Sequence, residues 1–233
     1  MEITLIHGQM HKGSTYHIVD SLKEKLEGED TIVHEFYIPK DGPTYCVGCF
    51  QCIFKGETYC KEAKNVQEIK EAMLRSKVII IDSPTYCFEM TGQLKTLFDH
   101  FAYQWMSHRP EGEMFTKIGV AVSTSAGAGD KNVAKSIRRQ LFWWGIPKVH
   151  TLNFKVNASS WEDVSDKVRV KIDKKIDETA FRIKEESKSL KPKMKTKGIF
   201  FVMRKMQRSN TWNKIDQHHW QNNQWLGKMR PWQ

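Results

Sequence analysis

Four of the chain's five cysteines lie in the fifteen residues CVGCFQCIFKGETYC, as Cys46, Cys49, Cys52 and Cys60. Three recur at every third position, and the fourth follows a glycine-bearing turn. Four thiolates suit a [4Fe–4S] cube. They also suit structural zinc, although such sites more often use two separated C-x-x-C pairs. Cys46 and Cys49 alone could work as a redox dithiol, and inert thiols are a further reading. The aromatic neighbours Tyr45, Phe50, Phe54 and Tyr59 could shield a cluster or only pack a loop. The chain opens directly into a strand-like pattern, MEITLIHG, with no signal-peptide pattern, so a cytosolic setting is expected. There, clustered cysteines point to metal or redox chemistry rather than structural disulfides. The thiol count favours the cluster, with the dithiol and inert readings left open.

A scaffold must position these thiols, and the surrounding sequence alternates strand and helix patterns. Strands are expected at 3–7, 31–38, 77–84, 117–124 and 148–156. The third, KVIIIDSP, is the most apolar. Helical spacing of apolar residues fills 14–27, 66–76, 92–105, 130–145 and 162–188. Strands joined by single helices imply right-handed crossovers and a parallel sheet covered on both faces. Ligands of such sheets bind beyond the carboxyl ends of the strands, so the loops after the first, third and fourth strands are the candidates.

The first of these, HGQMHKGST, leads into a helix at Ser14 or Thr15. Free N–H groups and the helix dipole favour an anion there. Gln9, Ser14, Thr15 and Tyr16 can donate hydrogen bonds, and His11 or Lys12 can add positive charge. Simple helix capping by Ser14 or Thr15 is the plainer alternative. The third strand empties through Ser83, Pro84 and Thr85 into Tyr86, Cys87 and Phe88, groups that could line a flat ring. The fourth empties into Thr124, Ser125, Ala126 and Gly127, small residues that permit close approach to the backbone. The three loops converge on one crevice, the place where a flavodoxin-like sheet holds FMN.

The segments GQMHKGST, SPTYCFEMTGQLKTLFDH and STSAGAGD resemble those of the NADPH-dependent FMN reductase group of flavodoxin-like proteins, including the iron–sulfur flavoproteins. The resemblance spans residues 1–150 or so and is most specific in the second segment. In the first, Gln9, Met10 and His11 stand where the group has serine, proline and arginine, and histidine is a weaker phosphate clamp than arginine's fork. The resemblance implies a doubly wound α/β fold with a five-stranded parallel sheet in the order 2-1-3-4-5. It implies FMN held by the three loops, NAD(P)H or a protein donor such as ferredoxin, and a homodimer or homotetramer. It makes Cys46, Cys49, Cys52 and Cys60 the ligands of a [4Fe–4S] cluster. A cluster-free NAD(P)H:quinone or flavin reductase and a flavodoxin-like electron carrier are the competing activities. Flavin chemistry needs no acid–base pair, so His7, His100 and His108 are read as structural or surface histidines.

Net charge is +10, but it is unevenly placed: the last 46 residues hold eleven of the 37 Lys and Arg and one of the 27 acids, Asp216. Residues 1–190 are therefore read as the FMN-binding domain, 191–198 as a linker, and 191–233 as a basic extension carrying Trp212, Trp220, Trp225 and Trp232. Such a mixture can bind single-stranded nucleic acid or an anionic membrane. Docking on the chain's own domain or on a partner subunit is favoured over both, because indoles are costly to leave in water.

Overall fold

The computed structural model describes residues 1–233. Five parallel strands form one sheet in the order β2-β1-β3-β4-β5, as expected: β1 (Glu2–His7), β2 (Ile32–Tyr37), β3 (Val78–Pro84), β4 (Ile118–Ser125) and β5 (Lys148–Lys155). Alternation along the central strands divides their side chains between two cores. Val78, Ile80, Ile118, Val120 and Val122 enter one, with α1 (Ser14–Leu26) and α6 (Asp166–Ser187) packed over them. Ile79, Ile81 and Ala121 enter the other, covered by α3 (Ala63–Arg75), α4 (Gly92–His100) and α5 (Asp130–Trp143). Both faces are buried, which is why β3 reads as a continuous apolar run.

The order of the strands reverses between β1 and β3, so the loops at their carboxyl ends lead to opposite faces and leave a crevice. The cysteine segment follows β2 and contains two short helical turns, α2 (Gln51–Phe54) and a 3-10 turn at Glu57–Tyr59. The expected helix over 92–105 ends at His100 and continues as a 3-10 turn at Ala102–Gln104.

The extension is helical, which its spacing had not suggested. α7 (Met194–Arg208) begins inside the stretch read as a linker, and α8 (Lys214–Asn222) follows. Phe200, Met203, Trp220 and Trp225 form a third, smaller core with Met106 and Phe115 of the domain. Trp212 departs from the expectation of buried indoles, being 66% exposed. No helix is long and apolar enough to cross a membrane.

Candidate functional site

The three loops interlock. Gln9 of the first accepts a hydrogen bond from the Tyr86 hydroxyl of the second at 2.8 Å. Thr15 and Thr124 share a hydroxyl–hydroxyl bond of 2.6 Å, joining the first to the third. The Thr85 methyl and Phe88 backbone close on Gly129, beside the 124–127 loop. Thr91 ties the base of the arrangement by donating to the Gly8 carbonyl at 2.5 Å.

At the start of α1, the residue before the helix is Gly13 and no side chain caps it. Ser14 and Thr15 therefore do not play the capping role that their type allows; Thr15 is buried against Thr124 instead. The first-turn N–H groups lack intrahelical partners by geometry, so an anion is the natural acceptor for them. His11 and Lys12 are exposed beside this turn, with the Lys12 ammonium 4.8 Å from the Tyr16 ring centre.

Several sequence-derived candidates shape the crevice rather than offering free donors to it. Ser83 is buried, donates to the Pro84 carbonyl at 2.8 Å and accepts from the Thr91 N–H. Ser125 is turned inward and donates to Asp130 at 2.9 Å. Ala126 and Gly127 are exposed, as are Tyr86, Cys87 and Phe88. A cleft of 690 Å³ opens beside Phe88 and residues 127–129 and reaches Asn153 and Lys171.

Cys87 and Phe88 occupy the left-handed region, with φ of 51° and 66°. They are the two central residues of a tight hairpin closed by paired backbone bonds between Tyr86 and Glu89, 2.9 and 3.0 Å long. Asn-Gly is the sequence suited to such a turn; Cys-Phe is strained there. Strain of this kind persists where the surroundings impose it, and it gathers at functional sites. Nothing in the sequence announced it, because neither residue type marks a turn.

His7 lies at the end of β1, buried between two carboxylates: Nδ1 is 2.5 Å from Asp82 and Nε2 is 2.9 Å from Glu35. Burial is the largest influence and disfavours its charge, but Asp82 and Glu35 outweigh it and raise its pKa above 6.5. A raised folded-state value means that His7 contributes stability fully below the unfolded value, and that this is lost as pH rises through the folded value. His7→Gln should therefore remove a decline in stability between about pH 6 and about pH 9 that the unaltered protein shows. Urea-unfolding midpoints of both proteins at the two pH values check this; parallel profiles would sink the assignment.

The cysteine segment presents a different geometry. Gly48 and Phe50 have φ of 66° and 56°, so the chain turns sharply between Cys46 and Cys52. Cys46 and Cys49 are exposed, while Cys52 and Cys60 are half-buried. Tyr45, Phe50, Phe54 and Tyr59 are exposed rather than wrapped around the thiols. Burial raises the Cys52 thiol pKa, the Cys60, Cys46 and Cys49 thiols raise it further, and the Arg109 charge opposes them. Cys52 thus senses the other three thiols. No three His, Cys, Asp or Glu side chains, however, stand close enough together to hold a metal ion. By ligand type alone, four soft sulfur donors suit an iron–sulfur cluster.

His100 is buried, with Nε2 2.8 Å from the Thr44 carbonyl and Nδ1 3.5 Å from Cys60 Sγ. His108 Nδ1 is 2.7 Å from Asp216. Both histidines are engaged within the fold.

A family model, NADPH-dependent FMN reductase, matches residues 1–160. The chain belongs to this family. An iron-sulfur flavoprotein of Archaeoglobus fulgidus is 31% identical over 138 residues, 59% of this chain and 60% of that protein. The chain thus spans about 60% of that relative's length. An iron-sulfur flavoprotein of Clostridioides difficile is 27% identical over 177 residues, 75% of this chain and 76% of its own. Among solved structures, an FMN-dependent NADH-azoreductase from Bacillus anthracis in complex with FMN superposes with a TM-score of 0.58 at 12% identity. The superposition covers 78% of this chain and 99% of that one, and at such identity it shows a shared fold.

Proposed function

We propose that this protein is an FMN-dependent oxidoreductase. It accepts electrons from NAD(P)H or from a protein donor such as ferredoxin and passes them to a small-molecule or protein acceptor. The observation that carries the reading is the interlocked set of loops after β1, β3 and β4, with the uncapped start of α1 among them. When bound, FMN supplies the hydride and single-electron chemistry. The first-turn N–H groups of α1, with Gln9, His11, Ser14 and Tyr16, would hold the phosphate. Tyr86, Cys87 and Phe88 would border the ring on one side and the small residues 124–127 on the other. The exposed apolar rim of Tyr86 and Phe88 supports this, because large apolar side chains gathered at a crevice gain most when something covers them.

The proposal includes a [4Fe–4S] cluster held by Cys46, Cys49, Cys52 and Cys60, supported by the donor set and by the two iron-sulfur flavoprotein relatives. It also includes a homodimer or homotetramer. The separation of the thiols favours a second reading, in which the same flavin centre works as a cluster-free reductase. Protein purified without oxygen should show a flavin spectrum with stoichiometric iron and sulfide. Flavin without iron and sulfide would establish the cluster-free form. Bleaching by NAD(P)H alone identifies a reductase, and bleaching only by reduced ferredoxin identifies a carrier. Protein that retains no FMN on titration would overturn the proposal.

A further inference from the structure

We infer that the C-terminal extension is a positioning element of the cysteine site, acting through Asn213, Asp216 and Arg109. The inference rests on the reading of the four cysteines as a cluster site. The segment from Cys46 to Cys60 has little secondary structure of its own, so its backbone must be fixed from outside.

Three contacts do this between Cys52 and Cys60. Asn213 Nδ2 donates to the Ile53 carbonyl at 2.9 Å. Arg109, itself buried, donates to the Cys52 carbonyl and, at 3.3 Å, to the Ile53 carbonyl. The same guanidinium lies 3.5 Å from Glu57, which Lys70 also approaches at 3.5 Å. Arg109 therefore grips the segment on both sides of its turn.

The extension holds Arg109 in turn. Asp216, the one acid in the last 46 residues, is fully buried and paired with the Arg109 guanidinium. Asn213 caps α8 through Oδ1, which accepts from Ile215 and Asp216 N–H at 3.0 and 3.2 Å. One residue thus begins the helix with its oxygen and reaches the cysteine segment with its nitrogen. Trp212 adds an edge-on contact to Phe54 at 4.9 Å between ring centres.

The dual role of Asn213 supplies a test that separates positioning from folding. Asn213→Asp keeps an oxygen for the cap but replaces the donor that reaches Ile53 by an acceptor. Asp216→Asn keeps the shape and removes the charge that holds Arg109. Hydrogen exchange is followed in the full-length, metal-free protein, alongside FMN titration and iron and sulfide analysis after anaerobic reconstitution. Either variant should speed amide exchange over residues 50–60 by about tenfold. Exchange in α8 stays unchanged in Asn213→Asp, FMN affinity stays unchanged in both variants, and iron and sulfide per chain fall. Unaltered exchange at 50–60 in both variants would overturn the inference. Unaltered protein that takes up no iron and sulfide while the variants still loosen 50–60 removes the cluster reading and leaves the clamp.

Discussion

Trp220→Ala should lower the thermal midpoint by about 10 °C and loosen the cysteine segment together with the extension. Trp220 is fully buried, stacks on Phe200 at 4.9 Å between ring centres and meets Trp225 edge-on at 5.6 Å. Its indole N–H donates to the His108 carbonyl at 2.7 Å. Truncation removes the apolar payload, leaves a cavity that a small satellite core cannot close, and strands that carbonyl. Buried Trp→Ala changes cost about 3–5 kcal/mol, and in chains of about this size each kcal/mol shifts the midpoint by about 2–4 °C. Trp220→Phe keeps a stacking ring but loses the donor, and should cost about 1 kcal/mol. Calorimetry of the three proteins checks the order. A midpoint unchanged by Trp220→Ala would mean that α8 is not docked in solution.

Gly129→Ala should weaken FMN binding by about tenfold or more, a change in free energy of about 1.4 kcal/mol. Gly129 precedes α5 with φ of 105°, a conformation that L side chains avoid at a cost of about 1–2 kcal/mol. A Cβ there would stand 2.5 Å from the Thr85 methyl and 3.1 Å from the Phe88 Cα. Neither atom is the end of a flexible chain, so the second and third loops must move apart. Those loops border the proposed ring site, and the Cys87–Phe88 turn is already strained. At Gly127 a Cβ meets nothing within 4 Å; Gly127→Ala should leave the thermal midpoint unchanged. Fluorescence titration of FMN into the Gly129→Ala apoprotein measures the effect, and affinity equal to that of the unaltered protein would refute the loop arrangement.

The extension illustrates why the chain's strong basic charge says little about a partner. Its cations lie outside, while the single acid is consumed by Arg109 and Phe200, Trp220 and Trp225 by a core shared with the domain. What counts is the pairing of one buried carboxylate, not the surplus of surface lysines.

The sequence by itself determined a parallel sheet covered on both faces, and the resemblance to the reductase group supplied the order of its strands. Apolar runs such as VIII at 78–81 can be satisfied only between two helical layers, and single-helix connections admit few topologies. The three loops were legible for the same reason, since their place at the strand ends follows from the topology. Their internal engagement was not. That Thr15 bonds Thr124 rather than capping α1, and that Ser125 turns to Asp130, depends on partners 109 and 5 residues away whose distances only packing sets. The strained turn at Cys87–Phe88 carries no turn-forming residue type, so tertiary contacts alone impose it. The helices α7 and α8 escaped notice because Gly198 and a dense run of lysines blur their apolar faces. Most of all, the sequence shows four thiols but not what fixes them. Arg109, Asn213 and Asp216 lie 49 or more residues beyond Cys60, in segments with no metal-ligating pattern. Only tertiary packing brings the Arg109 and Asn213 donors to the Cys52 and Ile53 carbonyls and sets the Asp216 carboxylate against Arg109.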